Sequence, residues 1–318
     1  GMLHEQPMTL ALCALGLAAI YALLARALIA RASYTVLAQS HAVLAVGFAT
    51  LAVPLALSAR ATGAVFALEG AGLAWLGLRQ KRWLPQVTGA LLQLAAAFAF
   101  VVGADHWHQD QRFLLNPTAI GALLLAVAGF AAAWSYQRRQ RHDIALAYYL
   151  WGLLWWLGGL VHEIGRFFQH SAQADAVLVL AAVTAWLASE VQRRMPARAL
   201  GVTALVMLAA GFPLALLQSD AHQQPFAGYG ALAWAVFAVL GVRSLLCLRQ
   251  GSGGVARIAQ FLWWLLWPSL LSLLALWGGG DARLAQGWTA LLVTLPWLLL
   301  AAVLMAAALS ALLLFGAG

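Results

Sequence analysis

The sequence predicts an all-α fold: a polytopic transmembrane helical bundle of about eleven spans, with the N-terminus outside and the C-terminus inside. Three observations predict it. The 318 residues are 64% hydrophobic and only 9% charged, with a mean hydropathy of +0.86, whereas soluble domains carry about a quarter charged residues. The apolar residues form runs near the ~20 residues that a helix needs to cross the hydrocarbon core. Arginine and lysine gather at alternate breaks between those runs.

The runs fall at 9–29, 38–57, 62–78, 85–103, 117–136, 144–163, 175–191, 199–217, 228–248, 258–277 and 287–313. One set of breaks holds Arg26, Arg31, Arg79, Lys81, Arg82, Arg138, Arg139, Arg141, Arg193, Arg194, Arg198, Arg243, Arg249 and Arg257; the other holds Arg60, Arg112, Arg166 and Arg283. Cytoplasmic loops retain basic residues, so the richer set is assigned to the inside. A missed or extra span would scramble this alternation downstream. Asp105, Asp110, Glu163, Asp175, Asp220 and Asp281 lean to the outer face, as do His106, His108, His162, His170 and His222. The longest outer loops, 104–116, 164–174 and 218–227, are too short to fold alone. Residues 1–318 therefore read as one transmembrane domain with no soluble domain.

The net charge of +8 and pI near 10.3 do not indicate nucleic acid. The basic residues sit in short clusters at helix ends rather than along one folded face. The partner they imply is the lipid bilayer, with anionic headgroups as a secondary attraction. Cys13 and Cys247 both lie inside apolar runs, which excludes a disulfide framework. The absence of a basic stretch before the first run argues against a cleaved signal peptide. Gly1 before Met2, and a last run ending at Gly318 without a basic anchor, are expected of a fragment of a longer chain. Other membrane proteins, or remaining segments of that chain, are the expected protein partners.

Glu69 lies ten residues before Arg79, about 15 Å along a helix and close to mid-membrane. An ionised carboxylate there costs roughly 2.5–3.5 kcal/mol. It is expected to face protein and to form an intramembrane polar site with His41 and Gln93. That site is read either as a relay for protons or substrate, or as a structural hydrogen bond between helices. On the same run Gly63, Ala67, Gly70, Ala74 and Gly77 follow steps of 4, 3, 4 and 3. This places them on one helical face, where small side chains admit a neighbouring backbone.

The motif Ala67-Leu68-Glu69-Gly70 lies within residues 48–83, FATLAVPLALSARATGAVFALEGAGLAWLGLRQKRW. With Pro54-Leu55, and with Trp75-Leu76-Gly77 followed by basic residues, this segment resembles an uncharacterised bacterial multi-pass membrane protein family, domain of unknown function 2339. Residues 149–164, YLWGLLWWLGGLVHEI, resemble a second family segment. The resemblance implies a multi-pass inner-membrane protein, usually longer than this chain, and brings no activity, cofactor or catalytic residue.

The closest approach to a metal-ligand set is the outer-loop group Asp105, His106, His108 and Asp110, since imidazole and carboxylate suit zinc. No metal is assigned to it, and no cofactor is expected. Glu163 and Arg166, at i and i+3, read as a surface ion pair. Trp83, Trp107 and Trp288 fit interfacial belts, while Trp151, Trp155, Trp156, Trp263, Trp264 and Trp267 lie deeper. Pro54, Pro213, Pro268 and Pro296 favour kinks. No phosphate-binding loop, zinc-protease helix, nucleophile elbow or CxxC pair occurs. Transport or translocation of a small molecule or lipid-linked substrate ranks first among functions. A non-catalytic membrane scaffold or assembly factor follows, and an envelope glycan- or lipid-modifying enzyme comes last.

Overall fold

The computed structural model describes residues 6–29, 59–102, 112–251, 253–282 and 285–315, with scattered positions between 34 and 48. These residues are almost entirely helical and contain no strand. In chain order the described helices are α1 (Gln6–Ile29), α2 (Ala59–Gln80), α3 (Trp83–Val102), α4 (Pro117–Arg138), α5 (His142–Phe167) and α6 (His170–Arg194). They continue as α7 (Arg198–Ala209), α8 (Gly211–His222), α9 (Gly230–Gly251), α10 (Gly253–Asp281) and α11 (Gln286–Phe315). Among the described residues, eight segments are long and apolar enough to cross a membrane: α3, α4, α5, α6, the α7–α8 pair, α9, α10 and the Gln286–Ala306 part of α11. The expected span 62–78 forms helix α2 but falls outside these eight. Arg60, Glu69 and Arg79 all lie within it.

The chain divides into two compact units, Gly1–Gly159 and Leu160–Gly318. In the first, α2 and α3 form a tight antiparallel pair, turning through Lys81 in the left-handed region (φ 56°). Built at Gly70, a Cβ would lie 2.6 Å from the carbonyl oxygen of Gly89; built at Gly89, it would lie 2.5 Å from that of Gly70. Only glycine fits this crossing. Helix α4 begins at Asn116, whose Oδ1 accepts from Ala119 N at 2.7 Å, with Pro117 at the first helical position. Both devices satisfy or remove otherwise unpaired backbone donors. Phe100 and Leu125 anchor the small-residue core between α2, α3 and α4. Tyr136 stacks on Tyr148 and donates to Gln86 Oε1 at 3.2 Å.

In the second unit α6 packs on α7, α8 and α9, and α10 packs on α7, α9 and α11. The expected span 199–217 is broken at Ala210 into α7 and α8. Pro213 lies three residues on and cannot donate back to Ala209, which interrupts the ladder. Pro268 and Pro296, by contrast, lie inside continuous helices. Helices α10 and α11 are joined by Ser272, which donates to Val293 O at 2.8 Å and accepts from Trp297 Nε1 at 3.0 Å. Ser272→Ala should therefore lower stability by about 0.6–1.7 kcal/mol, read as a lower melting temperature in detergent. An unchanged melt would show that the link carries no weight.

Candidate functional site

The second unit contains a buried chain of polar side chains. Asp175 lies in the second turn of α6, Gln218 and His222 lie one turn apart near the end of α8, and Trp234 lies in the second turn of α9. Gln218 Nε2 donates to Asp175 Oδ1 at 2.7 Å, and Gln218 Oε1 accepts from Trp234 Nε1 at 2.8 Å. Asp175, Gln218 and Trp234 are 2%, 0% and 2% exposed, so water does not compete for these bonds. The bond to the carboxylate is charge-assisted and the stronger kind.

Asp175 Oδ2 faces His222 Nε2 at 3.8 Å, and neither atom has a hydrogen-bond partner. That separation is too long for a hydrogen bond, and a shift of about 1 Å closes it. His222 is the more open of the two, with its side chain 16% exposed. The connection 223–229 folds over the pair. Gln223 and Gly228 both take positive φ, 69° and 57°. A Cβ on Gly228 would lie 3.3 Å from His222 Cε1, and one on Gly230 only 2.2 Å from Pro225 O. Beneath the polar chain lies an aromatic floor. Trp234 meets Phe237 and Trp267 edge-on at 5.4 and 6.0 Å, and Phe237 stacks on Trp263 at 5.7 Å. The arrangement is a buried carboxylate hydrogen-bonded at one oxygen, with an imidazole nitrogen 3.8 Å from the other.

The sequence places Asp175 and His222 at the outer face and does not single out Gln218 or Trp234. The expected loop 164–174 is mostly helix and the first half of 218–227 is helix, because α5 runs to Phe167, α6 starts at His170 and α8 runs to His222. One signal was available: Gln218 and His222 stand at i, i+4, which puts two polar groups on one helical face.

Among the described residues no hydrogen bond or ion pair joins any two of Glu69, His41 and Gln93. Glu69 is exposed. Gly63, Ala67, Gly70, Ala74 and Gly77 are all buried against their neighbours, and at 100° per residue Glu69 lies about 120° round the helix from the centre of that stripe. Leu68 shares its exposed side. Gln93 is buried beside Gly70; its Nε2 donates to Ala128 O at 3.4 Å, while its Oε1 lacks a partner. His41 Nδ1 lies 2.7 Å from Leu37 O, one turn back.

Glu163 and Arg166 approach to 3.7 Å, but Glu163 is only 1% exposed, so the pair is not the surface pair expected. Trp83 and Trp288 are exposed near helix starts, and Trp151 meets Trp155 edge-on at 5.8 Å. Asp105, His106, Trp107, His108 and Asp110 lie outside the described residues. Among the described residues no group of three or more His, Cys, Asp and Glu side chains could hold a metal ion.

The sequence pattern of a family described as "Predicted membrane protein (DUF2339)" matches residues 1–172. Comparison with curated proteins and with solved structures found no match.

Proposed function

The chain belongs to the family of predicted membrane proteins known as domain of unknown function 2339, and from that premise we propose a bacterial inner-membrane protein that moves a small molecule or lipid-linked substrate in step with protons. Several of its helices are apolar and long enough to cross a bilayer, so lipid is its solvent. In this reading the richer arginine loops face the cytosol, and the Asp175–His222 pair lies towards the outer side.

One observation carries the proposal: a carboxylate 2% exposed, inside an apolar bundle, keeps one oxygen without a hydrogen bond and 3.8 Å from an imidazole nitrogen. A structural carboxylate is expected to have both oxygens satisfied. A carboxylate that takes and releases a proton requires one oxygen free. A proton carried by His222 Nε2 makes the pair an ion pair; transfer to Asp175 Oδ2 leaves both neutral. Either state is tolerable in a low dielectric, whereas the lone carboxylate is costly.

The test is proton movement in proteoliposomes holding a pH-sensitive dye, under an imposed potential and with candidate solutes added. Asp175→Asn keeps the acceptor for Gln218 and removes the titrating oxygen, so movement should fall to the level of empty liposomes. Wild-type movement in that variant overturns the reading. Loss in Glu69→Gln with retention in Asp175→Asn would place the relay in the first unit instead.

A second reading, a non-catalytic scaffold or assembly factor, is favoured by α11. Within Gln286–Ala306 none of its apolar window is buried, and Trp288, Leu298 and Met305 are more than 60% exposed. A stoichiometric partner retained through purification and lost on substitution along this face would support it.

A further inference from the structure

We propose that the second unit carries a specific site for the phosphodiester headgroup of an anionic phospholipid, formed by Arg193, Arg194 and Arg243, with Glu190 as the resident anion. Glu190 lies in α6, 15 residues and about 22 Å of helix beyond Asp175, so this site is separate from the buried polar chain. Its Oε1 pairs with Arg193 and lies 3.8 Å from Arg194; its Oε2 meets Arg243 of α9 at 3.2 Å and the Cys247 thiol at 3.1 Å. Three guanidinium groups thus surround one carboxylate and leave two positive charges uncompensated.

Ordinary positive-inside arginines spread into water as solvated side chains. These converge. Glu190 is the inner member, with its side chain 19% exposed, against 37% for Arg193, 49% for Arg243 and 73% for Arg194. Their outer donors therefore face away from the carboxylate, over a fixed base. That base is held by Gln192, whose Oε1 accepts from Ala197 N at 2.9 Å across the α6–α7 turn. Guanidinium forks match phosphate oxygens in geometry, and an incoming phosphate supplies the missing negative charge.

The surroundings favour a lipid over free phosphate. Val239, Val242 and Leu246 on α9 are 70%, 49% and 49% exposed, and all lie within one turn of Arg243. Leu187, one turn before Glu190, is 40% exposed. Apolar surface directly adjoining a cation cluster suits acyl chains beneath a charged headgroup.

Glu190 gives the proposal a distinctive sign. In phosphatidylcholine nanodiscs titrated with fluorescent phosphatidylglycerol, Glu190→Gln should bind more tightly than the parent, because the competing anion is gone. Arg243→Gln should bind about tenfold more weakly. Arg249→Gln, whose guanidinium pairs with Gln260 outside the cluster, should lose less than about fivefold, the generic effect of one surface charge. Should Arg243→Gln fail to stay monodisperse, Arg194→Gln, the most exposed of the three, gives the same reading. Unchanged or weaker binding in Glu190→Gln overturns the site, as does equal loss at Arg243 and Arg249. Displacement of the bound lipid by inorganic phosphate at millimolar concentration overturns the lipid assignment.

Discussion

A Gln218→Leu protein is expected to unfold about 3–5 kcal/mol more easily than the parent, because one substitution strips two buried groups of their partners. Asp175 Oδ1 loses the Gln218 donor and Trp234 Nε1 loses its acceptor. Leucine fills nearly the same volume, so the loss is polar rather than steric. The carboxylate is left inside the bundle without the Gln218 hydrogen bond and with His222 Nε2 3.8 Å away. Melting in detergent measures the effect, and the double variant Asp175→Leu with Gln218→Leu supplies its sign. Removing the stranded charge should restore part of the stability lost by Gln218→Leu alone. Additive losses in the double variant would mean that Asp175 and Gln218 do not act as a pair.

The second large effect is steric and lies in the first unit. Gly70→Val should separate α2 from α3 and cost about 1–3 kcal/mol or more. Its Cβ would press on the backbone oxygen of Gly89 at 2.6 Å, and backbone cannot rotate aside as a side chain does. Gly72, two residues on, has nothing within 4 Å of a built Cβ, so Gly72→Ala should stay within about 0.5 kcal/mol of the parent. A comparison of melting temperatures, with circular dichroism to confirm that both helices persist, decides it. Equal behaviour of the two variants would remove the case for a close crossing at Gly70.

These sites were legible in the sequence to different degrees. The run containing Gly63, Ala67, Gly70, Ala74 and Gly77 carries a 4-3-4-3 spacing that any helix turns into a face, and those five residues lie buried. Glu69 belongs to the same helix and is exposed. Adjacency in sequence to a packed residue means a rotation of about 100° away from it, and only the crossing of α2 and α3 decides which side of Glu69 is covered. Glu163 is the opposite case. It was read as a surface group, but the packing of α5 buries it.

The amino-acid sequence by itself determined the membrane character of this protein, its helical class, where most of its long apolar helices lie, and its family. Hydropathy over some twenty residues and the tolerance of a turn for arginine are local properties, which a chain carries whatever its neighbours. Only the tertiary structure decided which polar groups meet. Asp175 and Gln218 stand 43 residues apart, and Glu190 and Arg243 stand 53 apart. Their contact depends on how each helix is rotated and shifted against the next, and that is set by the small-to-large fit of whole faces.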